Sequence, residues 1–186
     1  MTNRHIVAAL IVLVVGLVAP SSARAQIVPS PQWGEPIQDP SRFVVLASFN
    51  NQAVYDNETG LVWEQAPTNS TRSWSVAHGD CNARAVGNRK GWRLPTIQEL
   101  ASLIDPAAQP PDPTLPAGHP FSNVYTLGPT GNTAQYWSAT TVDSASTLAW
   151  VVEFGSGGVV LHGKSDVVGQ STFHWCVRGG QGVNPQ

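Results

Sequence analysis

Gly91-Trp92-Arg93-Leu94-Pro95-Thr96-Ile97-Gln98-Glu99-Leu100 is the stretch that decides how the chain is read. Thr96 and Glu99 form a capping box, in which each side chain satisfies the backbone N–H of the other. Ile97, Leu100, Leu103 and Ile104 then give one apolar face, and Asp105-Pro106 ends the pattern, so a short, well-marked helix is predicted after Thr96. On the N-terminal side, Ser73 offers an N-cap. Trp74, Ala77, Cys81 and Ala85 recur at intervals of three and four before Gly87, predicting a first helix over about Trp74 to Ala85 with Gly87 as the C′ residue. Before it come the apolar run Phe43-Val44-Val45-Leu46 and a predicted β-hairpin, Ala53-Val54-Tyr55 and Leu61-Val62-Trp63 flanking the turn Asp56 to Gly60.

C-terminal to the quoted stretch the chain changes character. Seven prolines fall in the 24 residues from Pro106 to Pro129, too many for regular structure and too long for an ordinary connection. Such a loop is either functional or a rigid proline-shaped surface. The last third reads as strand: Gln135 to Thr141, Leu148 to Phe154, Val159 to His162, and Thr172 to Arg178, with Gly155-Ser156-Gly157-Gly158 as a tight hairpin turn. Strands, two helices, a long loop and then strands, without alternating βαβ units, make the expected fold class α+β.

The chain has 186 residues and suits a single core. Residues 1–25 read as a signal peptide: Arg4 supplies the positive start, Ile6 to Val18 is an apolar run of 13, and Ala23-Arg24-Ala25 is an A-x-A cleavage site. Thirteen apolar residues fall short of the roughly 20 a membrane span needs. Cleavage would remove two of the ten basic residues and none of the 12 acidic ones, leaving a balance of −4. Nucleic acid is a poor partner for that balance. Residues 26–41, with Pro29, Pro31, Pro36 and Pro40, read as an extended lead segment, the domain as residues 42–180, and residues 181–186 as a tail. The expected location is outside the cytoplasm, in the periplasm or beyond the cell. In that oxidising setting the two cysteines, Cys81 and Cys176, have one intramolecular pairing, with two free buried thiols as the alternative.

The order of several stretches carries a resemblance. Asp56-x-x-Thr59-Gly60-Leu61-x-Trp63, Trp74 opening a helix with Cys81, the Trp-Arg-Leu-Pro-Thr stretch with Glu99-Leu100, Tyr136-Trp137-Ser138-Ala139-Thr140, and Cys176-Val177-Arg178-Gly179-Gly180 together resemble the Lcl C-terminal domain family. The resemblance implies a C-type-lectin-like fold related to the formylglycine-generating-enzyme group, with two helices on twisted antiparallel sheet and a long irregular loop region. It also implies a disulfide from the first helix to the last strand, and kinship with the C-terminal domain of a collagen-like adhesin that binds sulfated polysaccharides. This chain has no Gly-x-y stalk, so the resemblance does not extend to trimeric, multivalent adhesion.

Of seven tryptophans, Trp63, Trp74, Trp92 and Trp137 fit the apolar patterns and are expected in the core. Trp150 and Trp175 stay open, and Trp33 lies in the lead segment. Arg84, Arg89, Lys90 and Arg93 are the sole basic cluster, readable as an anion site or as a solvated loop, with Arg93 inside the Trp-Arg-Leu-Pro stretch. The triplets typical of calcium-dependent sugar binding are absent. Asp56, Asn57 and Glu58 read as a turn as readily as a set of oxygen ligands, and His78, His119, His162 and His174 lack zinc spacing, so no metal and no cofactor are expected. The expectation is a non-catalytic module binding a glycan, a sulfated or acidic polysaccharide, or another envelope ligand. Its candidate binding residues, from polarity and loop position, are Arg84, Arg89, Lys90, Asp143, Trp150, His162 and Lys164. The alternatives are a protein-binding structural component of the envelope, or an enzyme of the formylglycine-generating type or a hydrolase using His162 or Asp166.

Overall fold

A computed structural model of the chain describes residues 42–108, 113–165 and 172–180. The expected signal peptide, lead segment and tail, and Asp166, lie outside the described residues. Along the described chain come β1 (Phe43–Val45), β2 (Ala53–Asp56), β3 (Val62–Glu64), α1 (Trp74–Ala83), β4 (Trp92–Arg93) and α2 (Ile97–Ala101). Then follow β5 (Gln135–Val142), β6 (Ala145–Glu153), β7 (Gly158–Gly163), β8 (Thr172–Phe173) and β9 (Val177–Arg178). One sheet has the order β1-β2-β3-β9-β4, the other β7-β6-β5-β8. Neighbours are antiparallel except β5 and β8, which run parallel. The architecture is α+β, as expected, with strand predominating.

The capping box is present. Glu99 N donates to Thr96 Oγ1 at 3.2 Å and Thr96 N to Glu99 Oε2 at 2.8 Å. The next free helical donor, Ile97 N, reaches Thr140 Oγ1 on β5 at 2.9 Å. Arg93 grips the same Glu99 carboxylate with two bonds of 2.8 and 2.7 Å and gives a third, of 2.8 Å, to the Gly179 carbonyl. Burial pushes the Glu99 carboxyl up, but the hydrogen bonds from Arg93 and Thr96 outweigh it and hold the group below its ordinary value. Arg93 is therefore a staple between α2 and the end of β9. The β2–β3 hairpin is closed by Asp56, which accepts from Glu58 N and Thr59 Oγ1 and pairs bidentately with Arg42 at 3.0 and 2.9 Å. Arg42 also donates to Ser102 O at 2.9 Å, tying the hairpin to the end of α2.

Several expectations are corrected. Helix α1 ends at Ala83, and the Ser73 hydroxyl makes no capping bond. Gly87 lies not at its C′ position but in a separate 3-10 turn, at φ +58°, where an added Cβ would come within 2.5 Å of Phe49 Cα. That close approach and the left-handed conformation both require glycine. The stretch Thr172 to Arg178 is not one strand: β8 belongs to the second sheet and β9 to the first, and His174-Trp175-Cys176 cross between them. All of residues 172–177 are buried, because a segment that changes sheets inside the core has no solvent face.

Trp175, at the crossing, is an aromatic hub. Its ring meets Trp63 at 5.7 Å, Phe121 at 4.8 Å, Phe154 at 5.7 Å and Tyr136 at 6.2 Å between centroids. Around it pack Leu61, Leu100, Leu103, Leu115 and Val177. A second cluster joins Phe49, Ala77, Trp92, Leu94, Trp137 and Val151 to the disulfide Cys81–Cys176. Trp63, Trp92 and Trp137 are core residues as expected, whereas Trp74 is only half-buried, beneath the Lys164 side chain.

Candidate functional site

The described residues of the long loop are tied to the frame at several points. Asp105 N donates to Thr114 O, Thr114 N to Phe154 O and Ser122 N to Gln65 O, while Gln65 Nε2 donates to Pro120 O at 2.7 Å. Tyr125 N donates to Tyr136 Oη at 2.7 Å, and burial raises that phenol well above its ordinary range, keeping it a neutral hydroxyl. Phe121 is driven into the core against Trp175 and Phe43. Between these anchors lies an open pocket of about 600 Å³ whose lining includes Asp105, Ala107, His119, Phe121, Ser122 and Asn123. That volume is within the usual range for small-ligand pockets. Directly after the lining residues, Tyr125 lays one face on Phe173 at 5.1 Å while remaining 36% exposed. Sequence reading passed over Tyr125, Ser122 and Asn123; the available signal was an isolated aromatic beside small polar residues in a proline-rich segment.

The residues expected to bind do not form one site. Arg84 pairs with the buried Glu64 carboxylate, Nε to Oε1 3.0 Å. Arg89 instead lies over the Phe49 ring at 4.8 Å, with Arg178 near the same ring at 5.9 Å. Arg178 Nε donates to the Lys90 carbonyl at 2.9 Å, so the Lys90 main chain lies beside the two guanidinium groups that share the Phe49 ring. Among the described residues no carboxylate pairs with Arg89, Lys90 or Arg178. Arg178 was not among the expected residues. It joins the patch because β9 pairs with β4 in the register Trp92↔Arg178.

Trp150 and His162 are split by strand periodicity. Trp150 pairs with Leu161, and His162 pairs with Ala149, so the two side chains stand on opposite faces of the second sheet. Trp150 is half-buried beside exposed Leu161, whereas His162 meets the core ring of Trp137 at 5.3 Å. Lys164 places Nζ 4.0 Å from the Trp74 centroid and 2.9 Å from Thr141 Oγ1. Its ammonium is lowered by desolvation, and His78, packed on Trp74 at 4.2 Å, is lowered by burial and then by the Lys164 charge. Asp143 is exposed in the turn between β5 and β6.

Cys81 on α1 and Cys176 just before β9 form the disulfide, with Cα atoms 5.4 Å apart. Beside it His174 is fully buried, and among the described residues neither ring nitrogen has a hydrogen-bond partner. Burial first, then the Arg84 charge, pull its imidazole down to about 4, so it is neutral near pH 7. Burial raises Glu64, against the lowering effects of Arg84 and of the Cys176 N–H, which donates to Oε2 at 3.0 Å.

Among the described residues no helix is long and apolar enough to cross a membrane. No curated protein matches the chain. The family model described as the Lcl C-terminal domain matches residues 52–178, a span running from the β2–β3 hairpin through both helices and the disulfide to β9. By that match, over most of its length, the chain belongs to the Lcl C-terminal domain family.

Proposed function

We propose that the chain is an exported, non-catalytic binding module with a C-type-lectin-like fold, which holds a glycan or a comparable polar envelope ligand in the pocket of the long loop. The observation that carries this reading is the pinned concavity of about 600 Å³ bounded by Asp105, His119, Ser122 and Asn123, with the exposed face of Tyr125 following on. Polar groups fix sugar hydroxyls, and an aromatic face stacks on the apolar face of a pyranose. The lectin-like fold is supported by the disulfide between the first helix and the approach to the last strand, and by the loop excursion between α2 and β5. Export is supported by the same disulfide. With both cysteines joined and buried, neither offers a thiol for chemistry of the formylglycine-generating type.

A second ligand class is favoured by a separate observation, the Arg89–Lys90–Arg178 patch around Phe49. Guanidinium groups with no acidic partner among the described residues suit the sulfates or carboxylates of an anionic polysaccharide. A glycan array on the disulfide-intact protein, with calcium and again with chelator, tests both readings. Binding of neutral glycans that Tyr125→Ala abolishes supports the loop pocket. Binding of sulfated glycans that weakens with salt and is insensitive to Tyr125→Ala moves the site to the patch. Silence across the array refutes glycan recognition and transfers the role to an envelope protein.

A further inference from the structure

His174 lies in the three residues that carry the chain from β8 to β9, and its side chain is 1% exposed. An imidazole buried with both nitrogens unpartnered costs stability that an apolar side chain of like size would not. What lies beside it is sulfur: a ring nitrogen of His174, Cys81 Sγ and Cys176 Sγ all fall within 4.8 Å of one another. Asp80, adjacent to Cys81 on α1, brings Oδ2 to 3.7 Å from His174 Nε2 and its side chain is 40% exposed, so a partly exposed carboxylate adjoins the buried cluster. Arg72 and Arg84 flank the cluster through their pairs with Asp80 and Glu64, at 3.4 and 3.0 Å.

We propose that the thiol form of this chain, the form that precedes oxidation, binds one borderline divalent cation of the zinc type through Cys81, Cys176 and His174, with the Asp80 carboxylate or a water in the fourth position. Two thiolates and an imidazole with one oxygen donor are a tetrahedral zinc set. Zinc–sulfur distances of about 2.3 Å require the sulfurs to stand about 3.8 Å apart. Cα atoms 5.4 Å apart are compatible with that separation. Binding releases the two thiol protons. When the S–S bond later closes, two electrons pass to a disulfide-bearing oxidant, whose sulfurs take up two protons from solvent, and the cation is released. The ion and the disulfide are thus alternative ties between α1 and the approach to β9, and His174 serves the first of them.

The test uses the full chain, reduced without oxygen by a water-soluble phosphine, which takes the oxygen of one water as both sulfurs become thiols. It is titrated with Co²⁺ and then Zn²⁺. The expected result is one Co²⁺ per chain with a thiolate charge-transfer band and a tetrahedral visible spectrum. Zn²⁺ should displace it, the near-UV circular dichroism should remain native, and the oxidised chain should take up no ion. His174→Gln in the reduced state should bind at least tenfold more weakly. X-ray absorption on the zinc-loaded unsubstituted chain should read two sulfurs and one imidazole, a measurement that does not depend on how the variant folds. No uptake by the reduced chain, uptake without native circular dichroism, or a zinc shell lacking the imidazole would each overturn the proposal.

Discussion

The buried imidazole of His174 makes a quantitative claim about acid stability. Burial, and next the Arg84 guanidinium, hold it at about 4, against an ordinary value of 6.5 once the chain unfolds. A histidine depressed in the folded state binds fewer protons there than in the unfolded chain below pH 6.5. Above pH 6.5 the imidazole is neutral in both states and carries no proton-linkage penalty, and stability is lost as pH falls from 6.5 towards 4. The linkage integral gives about 2 kcal/mol lost by pH 5 and about 3 kcal/mol by pH 4. Glu64 acts with the opposite sign, because burial raises its carboxyl and protonation then favours the folded state as pH falls. Comparing the protein with His174→Leu cancels contributions common to both and isolates the imidazole. Leucine also removes two unpartnered nitrogens, so at pH 7.5 the variant should be at least as stable as the parent. Urea midpoints of the oxidised chains measured from pH 7.5 to 4 should diverge below pH 6.5, the parent falling faster. Curves that stay parallel through that window would refute the assignment.

Other perturbations bear on the frame and the patch. Replacing both Cys81 and Cys176 by alanine removes a link across 95 residues and should cost about 4–5 kcal/mol in the chain-entropy account, read as a lower urea midpoint. Asp56→Asn takes the bidentate counter-charge from the buried Arg42 guanidinium and leaves it the partly exposed Glu58 carboxylate at 3.2 Å, so a loss of about 3 kcal/mol, the low end for a broken buried pair, is expected by the same assay. Gly87→Ala meets both a left-handed backbone and the Phe49 main chain, so a loss of about 1–3 kcal/mol in thermal unfolding is expected. Arg89→Gln with Arg178→Gln should leave the melting temperature within a few degrees of the parent while flattening the salt dependence of any binding to sulfated polysaccharide.

What was legible in the sequence was what is fixed locally. The capping box of Thr96 and Glu99, the hairpin turn of Asp56 to Gly60 and the Gly155–Gly158 turn each depend on residues within a few positions of one another. The disulfide was legible because two cysteines admit one pairing. Long-range partners were not. Arg84 was read as a surface cation because its counter-charge, Glu64, lies 20 residues away and is brought beneath it only by the packing of α1 on the first sheet. Trp150 and His162 look like neighbours in a polar, aromatic segment, yet the β6–β7 register sends them to opposite faces. The break between β8 and β9 was hidden for a related reason: with every residue from 172 to 177 buried, there is no alternation to mark where the chain leaves one sheet for the other.

The family's signature residues have a common physical role here, and that role bears on where specificity resides. Arg93 and Glu99 staple α2 to Gly179; Trp137 Nε1 donates to Arg72 O, Ser138 Oγ to Trp150 O, and Trp74 Nε1 to Ser138 O. Each of these bonds joins parts of the frame to one another, and none faces the pocket. Membership of the family therefore accounts for the scaffold, and under the proposed function ligand choice would fall to the pocket-lining residues between Asp105 and Val124, outside every signature stretch. That loop is fastened through Thr114 to the end of β6, through Ser122 to Gln65 and through Phe121 to the aromatic hub. Because folding already fixes these anchored backbone segments, a ligand bound as proposed would meet walls whose ordering entropy need not be lost again on binding. Changes of sequence between the anchors can then alter what is bound without disturbing what holds the loop, which is the condition for one frame to serve different ligands.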